Sequence, residues 1–176
     1  MMNRIGQLLL ISIFLFPLTV AAAGSIEKTG TVLQILIPGI AYGSTFYLDD
    51  EKGRIQFYKS FATNFAITEG LKYTVDKKRP NGSGQSFPSG HTSAAFQGAS
   101  FIHKRYGFIY AIPAYIAASY VGYSRVESRK HYVEDVLAGA AIGIASSFYF
   151  ATPYKGVKVK AIVDNGIYGV NMSLEW

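Results

Sequence analysis

The 176 residues suffice for one domain with a sizeable core and not for two. Charged residues make up 16%, against roughly 25% in typical soluble domains, which excludes disorder and coiled coil; 18 Gly and 6 Pro without a period exclude a fibrous protein. The absence of cysteine removes disulfides, thiolate zinc sites and cysteine nucleophiles, and a net charge of +6 suits an anionic partner: nucleic acid, an anionic membrane surface or a phosphate-bearing substrate.

In chain order, Arg4, the apolar run Leu8–Val20 and Ala21-Ala22-Ala23 have the layout of a secretory leader. Residues 1–23 are expected to be a cleaved signal peptide or a retained first membrane helix. Four windows carry no charge: Ile5–Ile26, Thr29–Leu48, Tyr106–Ser124 and Val136–Tyr154. Each is about the length that crosses a bilayer as a helix, yet most contain Gly, Ser, Thr and Tyr, as in a close-packed bundle in or beside lipid. Thr31–Leu48 reads as a helix with a kink at Pro38-Gly39, Asp49–Arg54 as a polar turn, and Phe57–Tyr73 as a helix whose Lys59 and Glu69 make it a poor lipid-spanning segment. Asp76–Ser89, rich in Pro, Gly, Ser and basic residues, is a long and hence functional loop. Thr92–His103, Phe108–Tyr123 and Tyr132–Phe150 are three more helices. Val157–Val163 and Ile167–Trp176 are β-prone, with the hairpin signal Asn165-Gly166 between them. The expectation is an all-α fold, a compact bundle of about five helices (six if the N-terminal segment is retained) with a C-terminal β-hairpin. The domain occupies 31–151 and the hairpin 156–176. Trp176 resembles the aromatic end of an outer-membrane barrel strand, which makes an envelope partner for the hairpin a further expectation.

Three charged clusters interrupt this pattern. In the first, Lys72 and Arg79 lie seven residues apart and share a helical face if the helix runs that far, with Pro80 placing Arg79 at the helix end. Arg binds phosphate through a planar fork and Lys through a mobile point charge, though alone the cluster better fits a basic, solvated helix end beside a membrane. The second, Pro88-Ser89-Gly90-His91, runs into a helix whose free N–H groups would face an anion in the turn; an ordinary N-cap with a surface histidine fits as well. In the third, Ser124–Asp135, His131 and Asp135 are four apart at the start of a helix and within contact. A carboxylate on one ring nitrogen leaves the other as base or nucleophile, and Arg125 can bind the same anion. A surface ion pair is the plainer reading of that pair, and a metal site is the weaker one, for want of a third ligand cluster. Two of the three histidines fall in these clusters; His103, beside Lys104 and Arg105, reads as a surface or cytoplasmic-side residue.

The ordered set Lys72-x6-Arg79-Pro80, Pro88-Ser89-Gly90-His91 and Ser124-Arg125-x5-His131-x3-Asp135 resembles the tripartite signature of the type 2 phosphatidic-acid phosphatase superfamily, which also holds bacterial acid phosphatases and vanadium haloperoxidases. With the flanking helices the resemblance covers about Thr31–Phe150. It implies His131 as the nucleophile that forms a phosphohistidine, oriented by Asp135, and His91 as the general acid. Lys72, Arg79, Arg125, Ser89 and the N–H of Gly90 would bind the phosphoryl oxygens, with no metal and no other cofactor. Phosphoryl transfer of this kind is positioning and charge stabilisation.

Topology agrees. With Gly24 outside and every helix spanning, all three motifs reach the outer face, while Lys104 and Arg105 stay inside as positive-inside placement prefers. The expected function is hydrolysis of a phosphomonoester or pyrophosphate on an envelope lipid, at an inner-membrane site facing the periplasm, with no nucleic-acid partner. The alternatives are a soluble or peripheral periplasmic acid phosphatase after signal cleavage, a vanadate-dependent haloperoxidase, and a non-catalytic envelope scaffold.

Overall fold

The computed structural model describes residues 25–154, together with the backbone of 158–164 and 167–173. The expected leader over 1–23 lies outside the described residues. Five helices form an all-α bundle: α1 (Ile26–Tyr47), α2 (Glu51–Val75), α3 (Gly90–Tyr106), α4 (Phe108–Glu127) and α5 (Val133–Phe150). α3 is the central helix and packs on the other four.

The helices begin earlier than the hydrophobic pattern suggests because polar caps set their ends. The Ser25 hydroxyl accepts from the Lys28 N–H, so α1 starts five residues before Thr31. The Asp50 carboxylate accepts from the Gly53 N–H at 2.8 Å, so the expected turn 49–54 is mostly the first turn of α2. Ser124 and Arg125 lie in α4, which runs four residues past Tyr123. Gly107, at φ +115°, ends α3 and starts α4 in one step.

Close approaches at glycine seat α3 among its neighbours. A Cβ on Gly98 would stand 2.7 Å from the backbone of Pro38, and one on Gly139 or Gly143 would stand 2.4 Å from the carbonyl of Ser89 or Ser93. The core around these contacts holds Leu33, Ile37, Phe57, Phe101, Ala118 and Val121.

α2 is inverted relative to a helix in water. It buries Gln56, Ser60, Asn64 and Thr68 at four-residue intervals and exposes Ile55, Tyr58, Phe61, Phe65, Ile67 and Tyr73. The buried row is hydrogen-bonded into the bundle: Ser93 bridges Thr68 (2.9 Å) and Asn64 (2.6 Å), and Gln97 donates to Ser60 at 2.8 Å. Among the described residues one helix, α5, is long and apolar enough to cross a membrane.

At the end of the bundle away from the motifs, Arg105 is buried and donates to Asp50 and to the Thr152 carbonyl, while Tyr106 donates to Asp50 at 3.0 Å. Arg105 is thus a neutralised core charge, paired with Asp50. His103 contacts the Tyr115 hydroxyl at 3.1 Å and packs against Phe108 and Phe148.

After Tyr154, Lys158–Asp164 and Ile167–Ser173 run as extended backbone in antiparallel register. The Asn165-Gly166 turn on which the expected hairpin rests lies outside the described residues, as do the side chains of 155–176. The fold is the five-helix bundle.

Candidate active site

The last turn of α2, the loop 76–89, the first turn of α3, the end of α4 and the segment before α5 meet at one end of the bundle. Helix α2 stops at Val75, and Asp76 takes a left-handed conformation (φ +37°). Lys72 and Arg79 therefore do not share a helical face. The loop instead folds Arg79 back: Lys78 and Gln85 bridge, Arg79 Nε donates to the Gln85 carbonyl at 3.1 Å, and the Ser86 N–H donates to the Lys77 carbonyl at 2.6 Å. The two cations still converge, because both act electrostatically on His91 and His131.

Ser89 caps α3 through a buried hydroxyl that lies 2.9 Å from Thr92 Oγ1 and accepts from the Thr92 N–H. Its own N–H donates to the Asp135 carbonyl at 2.9 Å, which ties the second motif to the third. Gly90 lets Lys72 come close: a Cβ there would stand 2.9 Å from Lys72 Nζ, so the ammonium would have to shift. Lys72 is itself paired with Glu69 at 2.8 Å.

Arg125 is buried and fixed by Ser124 Oγ at 3.1 Å and by the Glu27 carbonyl at 2.6 Å. Gly30 on α1 makes this possible, since a Cβ there would collide with Ser124 and approach Arg125 Nη2 to 2.9 Å. Arg79 and Arg125 are thus held by backbone carbonyls while keeping further N–H groups of the fork for an anion.

His131 lies two residues before α5, so it and Asp135 are not a pair on one helical face. Asp135 is the third residue of α5, and its Oδ2 accepts from the Tyr132 N–H at 2.9 Å and from the Ser86 hydroxyl. Its Oδ1 accepts from Lys77 Nζ at 2.7 Å. His131 Nδ1 is 3.7 Å from Asp135 Oδ2, beyond hydrogen-bond length, and is buried without a hydrogen-bond partner. The Asp135 carboxylate and the Ser86 carbonyl both act on this ring.

Both imidazoles are pushed down to about 4. Burial is the main cause for each; Arg125, His131, Lys72 and Arg79 add to it at His91, and Arg79 and Lys72 at His131, where the Ser86 carbonyl and Asp135 partly offset it. Two neutral histidines therefore face one another in a field of three cations at a helix N-terminus. This arrangement suits an incoming polyanion, a nitrogen nucleophile and a proton donor. Among the described residues no group of three His, Cys, Asp or Glu is placed to hold a metal.

All eight sequence-derived residues, Lys72, Arg79, Ser89, Gly90, His91, Arg125, His131 and Asp135, belong to this one constellation. Sequence reasoning missed Lys77 and Ser86, the two side chains that grip Asp135 from the loop.

The family model of the PAP2 superfamily matches residues 64–156. The chain is 43% identical over 93 residues to the lipid A 1-phosphatase of Porphyromonas gingivalis, covering 48% of this chain and 21% of that one. It is 28% identical over 122 residues to the lipid A 4'-phosphatase of Helicobacter pylori, covering 65% of this chain and 62% of that one. The chain therefore spans about a fifth and about three fifths of these relatives. In fold it is similar to the crystal structure of Aquifex aeolicus LpxE, with a TM-score of 0.60 at 21% identity over 76% of this chain and 91% of that one.

Proposed function

The chain belongs to the PAP2 superfamily, and on that premise we propose that it is a membrane-associated phosphatase that removes a phosphoryl group from a lipid of the bacterial envelope. The observation that carries this reading is the convergence of His91, His131 and three cations at the same end of a bundle whose α2 turns its apolar side chains outward. An inverted helix of that kind fits a lipid environment, where polar groups belong inside. The matched relatives act on lipid A, so a lipid A phosphate heads the candidate substrates; phosphatidic acid, phosphatidylglycerol phosphate and undecaprenyl pyrophosphate follow.

The reaction runs in two steps. The phosphoryl oxygens lie against Arg79, Arg125, Lys72 and the first N–H groups of α3. His131 Nε2 attacks phosphorus in line as the bond from phosphorus to the leaving oxygen breaks. Asp135 balances the charge that develops on the ring through Nδ1–H, and His91, which takes up a proton as the dianionic phosphate binds, gives it to the departing oxygen. Water, deprotonated by His91, then attacks the phosphohistidine, releases inorganic phosphate and restores both rings. On this reading the site lies at the headgroup level and faces the periplasm from the inner membrane, as the expected topology with Gly24 outside requires.

Phosphate release by the purified protein tests this reading, with lipid A, phosphatidic acid, phosphatidylglycerol phosphate and undecaprenyl pyrophosphate in mixed micelles beside soluble phosphomonoesters. Faster turnover of at least one lipid is expected. Equal turnover of soluble esters would mark a non-specific acid phosphatase, and inactivity on every substrate would overturn the assignment.

A further inference from the structure

Lys77 lies inside the first motif, between Lys72 and Arg79, in the loop just after α2. Its ammonium is 2.7 Å from Asp135 Oδ1 and 2.8 Å from Glu134 Oε1, and it sits 4.4 Å above the Tyr132 ring. It thus grips the start of α5 at three residues, Tyr132, Glu134 and Asp135. Two of its partners, Glu134 and Tyr132, are exposed, whereas Asp135 is fully buried. The other carboxylate oxygen takes Ser86, whose N–H is bonded to the Lys77 carbonyl. Both side chains that hold the carboxylate therefore come from one cross-linked stretch, and Arg79 belongs to the same stretch through Gln85.

We propose that Lys77 is a positioning residue of phosphoryl transfer: by fixing Oδ1 it keeps Oδ2 of Asp135 turned toward His131 Nδ1, so that Nε2 meets the phosphorus. The proposal rests on the phosphatase reading above. When the bond from Nε2 to phosphorus forms, the ring acquires positive charge, and Nδ1–H must find an acceptor within hydrogen-bond distance. A gap of 3.7 Å closes with a movement of under about 1 Å, provided the carboxylate stays put. Lys77 touches the oxygen opposite the one His131 faces, and two carboxylates engage its ammonium. That arrangement serves the aspartate and not the phosphate. A displacement of a catalytic group by about 1 Å costs on the order of 10²-fold in rate, so holding Asp135 is worth a measurable part of kcat.

Steady-state kinetics on one long-chain lipid phosphate test this. Lys77→Met, which keeps the stem and drops the charge, is expected to lower kcat at least about 10-fold with KM within about twofold. Lys77→Arg should recover most of kcat, because it restores a cation within reach of Oδ1. Glu134→Gln, which removes the exposed partner alone, should behave as the unaltered protein. Should Lys77→Met lose its cooperative thermal transition, Lys77→Gln is measured in its place. An unchanged kcat, a raised KM at constant kcat, or a Glu134→Gln loss equal to that of Lys77→Met would each overturn the proposal. Inactivity of the unaltered protein on every phosphate ester would instead overturn the phosphatase reading, and this inference with it.

Discussion

His91 and His131 are both neutral at pH 7 in the unliganded site, because burial and the neighbouring cations push each down to about 4. A neutral ring suits a nucleophile, whereas an acid needs a proton that the unliganded site withholds. A dianion bound among Lys72, Arg79 and Arg125 cancels much of the local positive field and raises both values. Sulfate is a suitable probe, since it stays dianionic through pH 5–6.5. Its binding in that range should take up protons, read as a dependence of the calorimetric enthalpy on buffer ionisation; zero uptake would contradict the electrostatics. Folding is linked to protons with the opposite sign: the unfolded chain binds them near 6.5 and the folded one near 4, so stability falls as pH drops through that window. The acid role of His91 has its own test. An alkoxide leaves poorly and needs the proton, and a nitrophenolate does not. His91→Ala should slow an alkyl phosphate by ~10²–10⁴-fold and a nitrophenyl phosphate markedly less; equal losses would make His91 a binding residue. The eight motif residues were legible in the sequence because they stand in three clusters of fixed order and spacing. Lys77 and Ser86 were not. Lys77 is one of two adjacent lysines between Lys72 and Arg79, and its partner Asp135 is 58 positions away, a proximity that only the fold creates.

Helices α1 and α2 show what patterning reaches and what it misses. They were expected over Thr31–Leu48, within an uncharged window, and over Phe57–Tyr73, but their starts were set by Ser25 and Asp50, whose capping bonds outweigh the polar composition of the first turns. For α2, Lys59 and Glu69 signalled polarity without saying which face it occupied. Gln56, Ser60, Asn64 and Thr68 at four-residue spacing carry that information, provided the surroundings are taken as apolar. The course of the loop 76–89 was hidden for another reason: Asp76 ends α2 in a left-handed turn, and nothing local favours that over one more helical turn. Glycine substitutions test the packing at this scale. Gly139→Ala drives a methyl into the Ser89 carbonyl and should cost ~1–3 kcal/mol with loss of activity, since Ser89 opens α3 at the site. Gly39→Ala meets nothing within 4 Å in α1 and should gain ~0.5–1 kcal/mol. Thermal unfolding of both in detergent checks the pair, and shifts of the same sign would refute the glycine contacts.

At the scale of the whole molecule, the chain concentrates its chemistry at one end of the bundle and a structural ion pair at the other. Arg125 and His131 act at the first; Asp50 and Arg105 lock α2 and α3 to the departing chain at Thr152 at the second. The meeting of the motifs was legible before any coordinates, because an antiparallel run of helices returns them to one side. The burial of Arg105 was not, because a basic residue at a helix end looks the same whether solvated or paired. The covalent step at His131 bears most of the functional account. The decisive measurement is trapping of the phosphoenzyme by rapid denaturing quench during turnover of a phosphate-labelled lipid. Label that is stable to alkali and labile to acid should appear on the unaltered protein and be absent from His131→Ala. Label that persists in His131→Ala, or turnover without any labelled protein, would contradict it.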